Sequence, residues 1–250
     1  MSTDWPEGYG RQVLAEVDST LNEAARIAPT LTRPEWILAL HQSAARGRRG
    51  RPWANPKGNF SATLVMRPPE PAGTAALRSF VAALALFDAL VAVTGRAEGL
   101  ALKWPNDVLL NGGKLAGILL ESAGQGGHLA HLAIGIGVNV VAAPEPGALE
   151  PGALRPVSLL GEVGAQVAPE TLFDHLASAY ARREAEFTAR GFAPIREAWL
   201  ARAAKLGQTI TARTAARETS GTFETVDASG ALVLNTSEGR VAIPAADVYF

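Results

Sequence analysis

Residues 100–121 read LALKWPNDVLLNGGKLAGILLE, and the punctuation of this run decides the architecture. Leu100 to Lys103 and Val108 to Leu110 are short strand-forming stretches, interrupted by Trp104-Pro105-Asn106-Asp107. Pro105 has no amide to offer a central ladder, so the strand must break there and expose its neighbours. Asn111-Gly112-Gly113 is a hairpin signal, since glycine and asparagine accept the positive φ of a tight turn. Leu115 to Glu121 is then a further strand, Gly124 to Gly127 a second turn, and Leu129 to Val141 another strand. Strands joined by such short turns pair antiparallel, which predicts an α+β fold: a mixed, largely antiparallel sheet with helices from elsewhere covering one face.

Working outward, Gln12 to Val17, Trp36 to His41 and Phe60 to Met66 are strand candidates, the last ended by Pro68 and Pro69. Asp18, Ser19 and Thr20 have helix-start chemistry before a helical stretch over Asn22 to Ala28. Thr74 to Thr94 is nearly all apolar and reads as one long helix buried on most sides. Ala142 to Pro156 is a loop holding the repeat EPGAL at Glu145–Leu149 and Glu150–Leu154, too short and too few for a solenoid. Pro169 to Arg190 is amphipathic through Leu172, Leu176, Tyr180 and Phe187, and Pro194 to Ala204 is a shorter helix. From about Lys205 the period changes to two, over Gln208–Thr214, Gly221–Val226, Ala231–Leu234 and Arg240–Ile243, with turns at Gly230 and Gly239. This divides the chain into a main domain, 1–204, and a small β-barrel, 205–250.

Composition excludes several classes. With 250 residues, 48% hydrophobic and 19% charged, the chain can bury a full core and is neither disordered nor fibrous. Having no cysteine, it has no disulfide, thiolate metal site or cysteine nucleophile. A net charge of −1 argues against a general nucleic-acid coat. The N-terminus lacks a basic region followed by an apolar one, and the apolar stretch Phe80 to Val93 contains Asp88 and is shorter than the ~20 residues of a membrane span. The expectation is a cytoplasmic protein without a membrane segment.

The basic residues are nevertheless concentrated. Arg46, Arg48, Arg49 and Arg51 share the loop Ala44–Gly58, alternating with glycine. Glycine permits close backbone approach and unusual dihedrals, and arginine offers forked donors suited to phosphate and carboxylate oxygens. Four neighbouring positive charges repel one another, so the loop should be disordered until an anion orders it. A solvated or nucleic-acid-binding basic patch is the alternative. Lys114 follows Gly112-Gly113 inside an apolar strand, where an ammonium needs an anionic partner; the surroundings are not those of a Walker loop, since Leu115 stands where Ser or Thr is required. Gly135-Ile136-Gly137-Val138-Asn139 is not a dinucleotide fingerprint either, because the chain continues as β-type sequence; glycines within a strand imply close approach by a ligand or another backbone. His41, His128, His131 and His175 show no metal-ligand spacing, and no metal ligands are assigned.

Taken in order, DST at Asp18–Thr20, Gln42 followed by ARGRRGRPW at Ala45–Trp53, NPKGN at Asn55–Asn59, KWPND at Lys103–Asp107, GGKLAGILLE at Gly112–Glu121 and GIGVN at Gly135–Asn139 resemble the biotin protein ligases. The resemblance spans about residues 13–141. It implies a core like that of class II aminoacyl-tRNA synthetases with an SH3-like C-terminal barrel. It also implies that biotin and ATP, with Mg²⁺, give biotinyl-5′-AMP, and that biotin then passes to a lysine of a biotin carboxyl carrier protein. By the same resemblance, Ser19, Thr20, Leu21, Gln42 and Gly117 would contact biotin. Arg46, Gly47 and Arg48 would close over the carboxylate and phosphates, and Lys114 would touch both carboxylate and adenylate. Arg51, Trp53, Asn106 and Asn139 would lie beside the nucleotide, and Asp107 would orient or accept the proton of the acceptor lysine. Departures are Ala45 where the loop usually begins with Gly, and Leu21 where Asn is frequent, with Asn22 one place later. Larger family members carry an N-terminal DNA-binding domain; about a dozen residues precede the first core strand here, so the expectation is a ligase-only form, monomeric or homodimeric, without specific DNA binding. Lipoate–protein ligase, with shared chemistry, and a nucleic-acid module using the arginine loop are the competing readings.

Overall fold

The computed structural model describes residues 4–125, 128–144, 154–214 and 217–250. Seven strands form one sheet: β1 (Gly10–Leu14), β2 (Glu35–Ala39), β3 (Phe60–Met66), β4 (Leu100–Lys103), β5 (Asp107–Leu110), β6 (Gly113–Gln125) and β7 (His128–Val138). Their order is β1-β2-β3-β7-β6-β5-β4. Only β1 and β2 pair parallel, and α1 (Thr20–Ile27) lies in the crossover that such a pair requires. The mixed, largely antiparallel sheet is as the sequence predicts.

The β5–β6 hairpin shows why two glycines are needed. Asn111 (φ 49°) and Gly112 (φ 77°) form the two-residue turn, both in the left-handed region. Gly113 serves a different purpose: a Cβ there would lie 2.3 Å from Val157 and 3.0 Å from the Arg155 carbonyl. That close passage lets Lys114 bond the segment beside β6, its amide donating to the Arg155 carbonyl at 2.8 Å and its carbonyl accepting from Val157 N at 3.0 Å.

The two faces of the sheet are unequal, and β7 shows it most directly. Leu132, Ile134, Ile136 and Val138 alternate with Ala133, Gly135 and Gly137. The bulky set joins the main core with Ala62, Leu64, Ile118 and the helices α2 (Ala72–Ala76), α3 (Arg78–Thr94), α5 (Pro169–Arg190) and α6 (Phe192–Leu200); the short α4 (Leu159–Val163) closes one edge. Aromatic edges lock this layer: Trp36 meets Phe173 at 6.0 Å and Tyr180 at 5.6 Å, and Phe80 meets Trp199 at 5.3 Å. The small set faces α1, which buries Leu21, Ala24 and Ala28 against Ile37, Val65 and Ala133. Helices therefore cover both faces, the second only in part.

The C-terminal strands β8 (Thr209–Arg213), β9 (Glu218–Val226), β10 (Leu232–Thr236), β11 (Gly239–Ile243) and β12 (Asp247–Tyr249) form an antiparallel sheet in the order β11-β10-β9-β8-β12. Trp104 of the strand break donates its Nε1–H to the Gly230 carbonyl at 3.0 Å, fastening this unit to the main sheet.

Some expectations change. The apolar helix is broken at Leu77 into α2 and α3. Ala72–Thr94 is, at 23 residues, long and apolar enough to cross a membrane by composition, and two-thirds of it is buried in the core. Strands β6 and β7 run past Gly124 as far as Gln125 and His128, through a bulge at Ala123/Gly124; residues 126 and 127 of the expected turn lie outside the described residues. Nearly all of the EPGAL repeat, residues 145–153, lies outside them as well. α4 and β12 are too short to leave a periodic signal.

A Cβ on Gly135 would sit 3.1 Å from three atoms of Leu21. Gly135→Val should therefore lower the stability by about 1–3 kcal/mol, the usual range for overpacking. Leu21→Ala in the same chain should recover part of the loss. Urea unfolding checks this, and an unchanged midpoint in the single variant would contradict the close packing of α1.

Candidate active site

Gly117 of β6 and Gly137 of β7 are cross-strand partners on the face away from the helices α3 and α5. The Trp53 indole rests on this bare backbone: a Cβ on Gly137 would lie 2.7 Å from it, and one on Gly117 at 3.4 Å. Lys114 Nζ stands 5.8 Å from the Trp53 ring centroid. Around this platform the chain gathers nearly every polar group that the motifs singled out.

The strand break supplies the charged group. Lys103 and Asp107 face each other across the β4–β5 pair, and Asp107 is the register partner of Gly117. Asp107 Oδ1 contacts Lys114 Nζ at 2.7 Å, and Oδ2 lies 3.8 Å from Lys103 Nζ. Burial holds the Lys103 ammonium below the usual lysine range, while Asp107 opposes that shift. Asn106 is turned elsewhere: its Nδ2 donates to the Ile118 carbonyl at 2.5 Å, and its own carbonyl accepts from Ile118 N at 2.9 Å, so it braces the break against β6.

A second cluster forms where α1 begins. Thr63 Oγ1 donates to Thr20 Oγ1 at 2.8 Å, and Thr20 passes the chain on by donating from Oγ1 at 3.1 Å and from its backbone N at 2.7 Å to Gln42 Oε1. Ser19 is buried at the N-cap position, but its side chain makes no capping bond. Leu21 turns its side chain onto Gly135, so any ligand contact there comes from backbone or the edge of the side chain.

In the structure the arginine loop is tied to carboxylates of the chain itself. Arg46 pairs with Glu121 through Nε at 3.1 Å and Nη2 at 2.8 Å and donates from Nη1 to Asn22 Oδ1 at 2.6 Å. Asn22 is held in turn by Asp18, which also pairs with Arg26; these two donors keep the Asp18 carboxyl well below the usual carboxylate range. Arg48 and Arg49 both reach Asp247, at 3.3 and 2.9 Å. Gly47 N donates to the Arg51 carbonyl at 2.7 Å, closing the loop on itself.

Three polar atoms near the platform have no hydrogen-bond partner within the protein although they are shielded from solvent: Trp53 Nε1, Asn55 Nδ2 and Asn139 Oδ1. Buried polar atoms of this kind call for an explanation, and a bound ligand is one. Asn55 opens the NPKGN stretch but has no role assigned from the sequence. Its Oδ1 accepts from Ser61 Oγ at 3.1 Å, and Ser61 is the register partner of Gly137. Ser61 and Thr63, polar residues at period two within the apolar strand Phe60–Met66, are the signal that could have pointed to this face. Glu121 closes the GGKLAGILLE stretch with no role assigned from the sequence, and Asp247 lies in no motif. The four histidines form no common site, and among the described residues no cluster of three or more His, Asp or Glu could hold a metal ion.

The fold thus gathers a set of cations around a glycine platform on one face of a mixed sheet. Residues 13–139 match the biotin/lipoate A/B protein ligase family, and residues 205–250 match the biotin protein ligase C-terminal domain. The chain is 58% identical over 238 residues to a biotin–[acetyl-CoA-carboxylase] ligase of Paracoccus denitrificans, covering 95% of this chain and 99% of that one. It is 31% identical to a bifunctional ligase/repressor of Bacillus subtilis, covering 94% of this chain and 71% of the other. Among solved structures, a biotin protein ligase from Aquifex aeolicus in complex with biotin and ATP superimposes with a TM-score of 0.81 at 23% identity, covering 96% and 97% of the two chains; at that identity it shows the fold. The chain belongs to the biotin protein ligase family.

Replacing Gln42 by Leu removes the acceptor shared by the Thr20 amide and hydroxyl. Gln42→Leu should destabilise the fold by about 1–3 kcal/mol, the cost of leaving buried donors unmade. An unchanged urea midpoint would mean that the Thr63–Thr20–Gln42 chain does not form in solution.

Proposed function

We propose that this chain joins biotin to ATP, with loss of pyrophosphate, and then transfers biotin from biotinyl-5′-AMP to one lysine of a biotin carboxyl carrier protein. The observation that carries the reading is the glycine platform of β6 and β7 with Lys114 at its rim and the arginine loop at its edge. The two substrates are both anionic and repel each other, so their reaction needs fixed positive charge and exclusion of water. Lys114, Arg46 and Arg48 supply that charge, and Mg²⁺ enters as part of the MgATP substrate, held through its phosphates.

In the first step a biotin carboxylate oxygen attacks the α-phosphorus, and pyrophosphate leaves with the electron pair of the broken P–O bond. No protein nucleophile is needed. Ser19, Thr20, Gln42 and the backbone of Leu21 contact the ring system, and Gly117 admits the biotin tail beside Lys114. Gly47 gives the loop room to approach the phosphates. Trp53, Arg51 and Asn139 lie beside the nucleotide, joined by Asn55, with Asn106 acting through the strand it braces. In the second step the carrier lysine attacks the acyl carbonyl and AMP leaves. Lys114 can exchange Asp107 for the phosphate of the adenylate, which releases Asp107 to orient the incoming amine and take its proton. On this reading 1–204 is the catalytic domain and 205–250 an appended β domain, and the enzyme works in the cytoplasm, where ATP and carboxylases meet.

The direct test supplies MgATP, labelled biotin and a carrier domain. Label on the carrier, lost on chelation of Mg²⁺, is the expected result. Transfer of lipoate in preference to biotin would overturn the substrate assignment. Lys114→Ala should keep the fold and slow adenylate formation by ~10²-fold or more, the usual effect of removing a charge-stabilising donor; near-wild-type rates would refute its role. Arg48→Gly should speed escape of the adenylate, measured by filter trapping, and an unchanged off-rate would count against closure by the loop.

A further inference from the structure

Asp107 sits between two ammonium groups that the fold treats differently. Lys103 is its cross-strand partner in the β4–β5 pair, so the two side chains share one face of the sheet, and Lys103 Nζ lies 3.8 Å from Oδ2. Lys114 reaches Oδ1 from β6 at 2.7 Å. The side chains of Lys103 and Asp107 are 10% and 11% exposed, whereas that of Lys114 is 33% exposed and stands beside Trp53 on the platform. Lys103 is thus the inner cation and Lys114 the outer one. The Phe250 ring lies 5.5 Å from the inner ammonium and 5.9 Å from that of Lys205. Asp247 of β12 and Arg48 of the arginine loop also act on Lys103, with opposite signs, and Lys114 repels it.

One carboxylate cannot neutralise two ammonium groups, so the trio holds one positive charge in surplus. Exposure decides that Lys114 is the lysine that can serve an outside anion. If Asp107 had Lys114 alone, the loss of that partner would leave a buried carboxylate unpaired, and burial favours the neutral acid. We propose that Lys103 is a positioning residue for acyl transfer: it is the resident counter-ion that keeps the Asp107 carboxylate charged and in place once Lys114 has turned to the adenylate phosphate. This rests on the reaction and the role of Asp107 proposed above. In that step the acceptor nitrogen bonds the acyl carbon, its proton passes to Asp107, and AMP leaves with the electron pair of the acyl C–O bond.

Lys103→Met keeps the apolar stem and removes the charge. Transfer from preformed biotinyl-5′-AMP to a carrier domain is timed between about pH 5 and pH 9, which spans protonation of carboxylates and the approach to that of lysine. In wild type the logarithm of the rate should fall with slope one as the acceptor amine gains its proton. In Lys103→Met the slope should steepen to two below about pH 6, because loss of a nearby opposite charge moves protonation of Asp107 up by about one unit or more. Lys103→Arg should restore the wild-type profile. A uniform loss of rate in Lys103→Met, with the slope still one, would mean that Lys103 only packs and would overturn the proposal. A second reading needs no substrate. The chain has four lysines, Lys57, Lys103, Lys114 and Lys205, so ¹⁵N spectra of the side-chain ammonium groups are simple to assign. Lys103 should titrate below the ordinary lysine range, and Asp107→Asn should lower it by about one unit more. A Lys103 signal indifferent to Asp107→Asn would overturn the pairing, and this titration with the Lys103→Arg profile decides the matter if Lys103→Met does not fold. If no biotinyl adenylate is made at all, the function proposed above fails, and the titration alone decides whether Lys103 is the counter-ion of Asp107.

Discussion

Everything at this site depends on a pleat. Consecutive residues of a strand point to opposite faces, so a strand that must both anchor a core and carry a ligand can assign one face to each task. In β7 the even positions, Leu132 to Val138, build the helix-covered core, and the odd positions are stripped to Ala133, Gly135 and Gly137. Removing those side chains forfeits apolar burial on one face only. The other side of the sheet, with α3 and α5 packed on it, carries the stability that allows the loss. A shift of one residue in register would send the isoleucines into the site and the glycines into the core, so the long β6–β7 and β3–β7 ladders also protect function.

The second constraint is electrostatic. A site built to bring two anions together must hold several cations close to one another before the anions come. The chain does so by lending its own carboxylates: Glu121 to Arg46, Asp247 to Arg48 and Arg49, and Asp107 to Lys114. On the function proposed above, binding of substrate would be an exchange of partners, not a first neutralisation, and exchange lowers the reorganisation needed at each step. The four arginines of the loop, which repel one another when read in isolation, meet carboxylates from distant segments in the folded chain. The relevant anions lie 75 residues away at Glu121 and 198 away at Asp247.

That separation marks the boundary of what the sequence disclosed. The KWPND break, the Asn111-Gly112 turn and the amphipathic helix Pro169–Arg190 are local events, set by φ preferences, missing amides and helical spacing, and all three stand in the structure. The motif residues Thr20, Gln42, Trp53, Asp107, Lys114, Gly117 and Asn139 could be picked out because the resemblance is itself a pattern along the chain. Their partners could not. Thr63, Glu121, Asn55 and Asp247 gain their contacts from the pairing of distant strands, although Asn55 and Glu121 lie within the NPKGN and GGKLAGILLE stretches and Thr63 on a period-two polar strand face. Asn106 illustrates the converse error: it belongs to the motif, but the fold uses its amide to fasten β6.

The two faces also differ in how they treat polar groups. On the helix side Arg78 is almost fully buried, and it is matched by Glu184 at 2.7 Å and Glu70 at 3.1 Å, with Tyr180 donating to Glu184 at 3.1 Å. Burial and Glu184 together push the Tyr180 phenol well above its usual range, and the Arg78–Glu184 pair ties α3 to α5. Trp36 Nε1 is the exception on that side. Around the glycine platform the balance reverses: Trp53, Asn55 and Asn139 each keep a hydrogen-bonding atom uncommitted while the rest of the residue is held. A core that satisfies its polar groups and a site that withholds three of them follow from different demands. The first must be indifferent to solvent and ligand. The second must lose something when the ligand is wrong, and an unmet donor or acceptor in a dry pocket is how a protein makes that loss large.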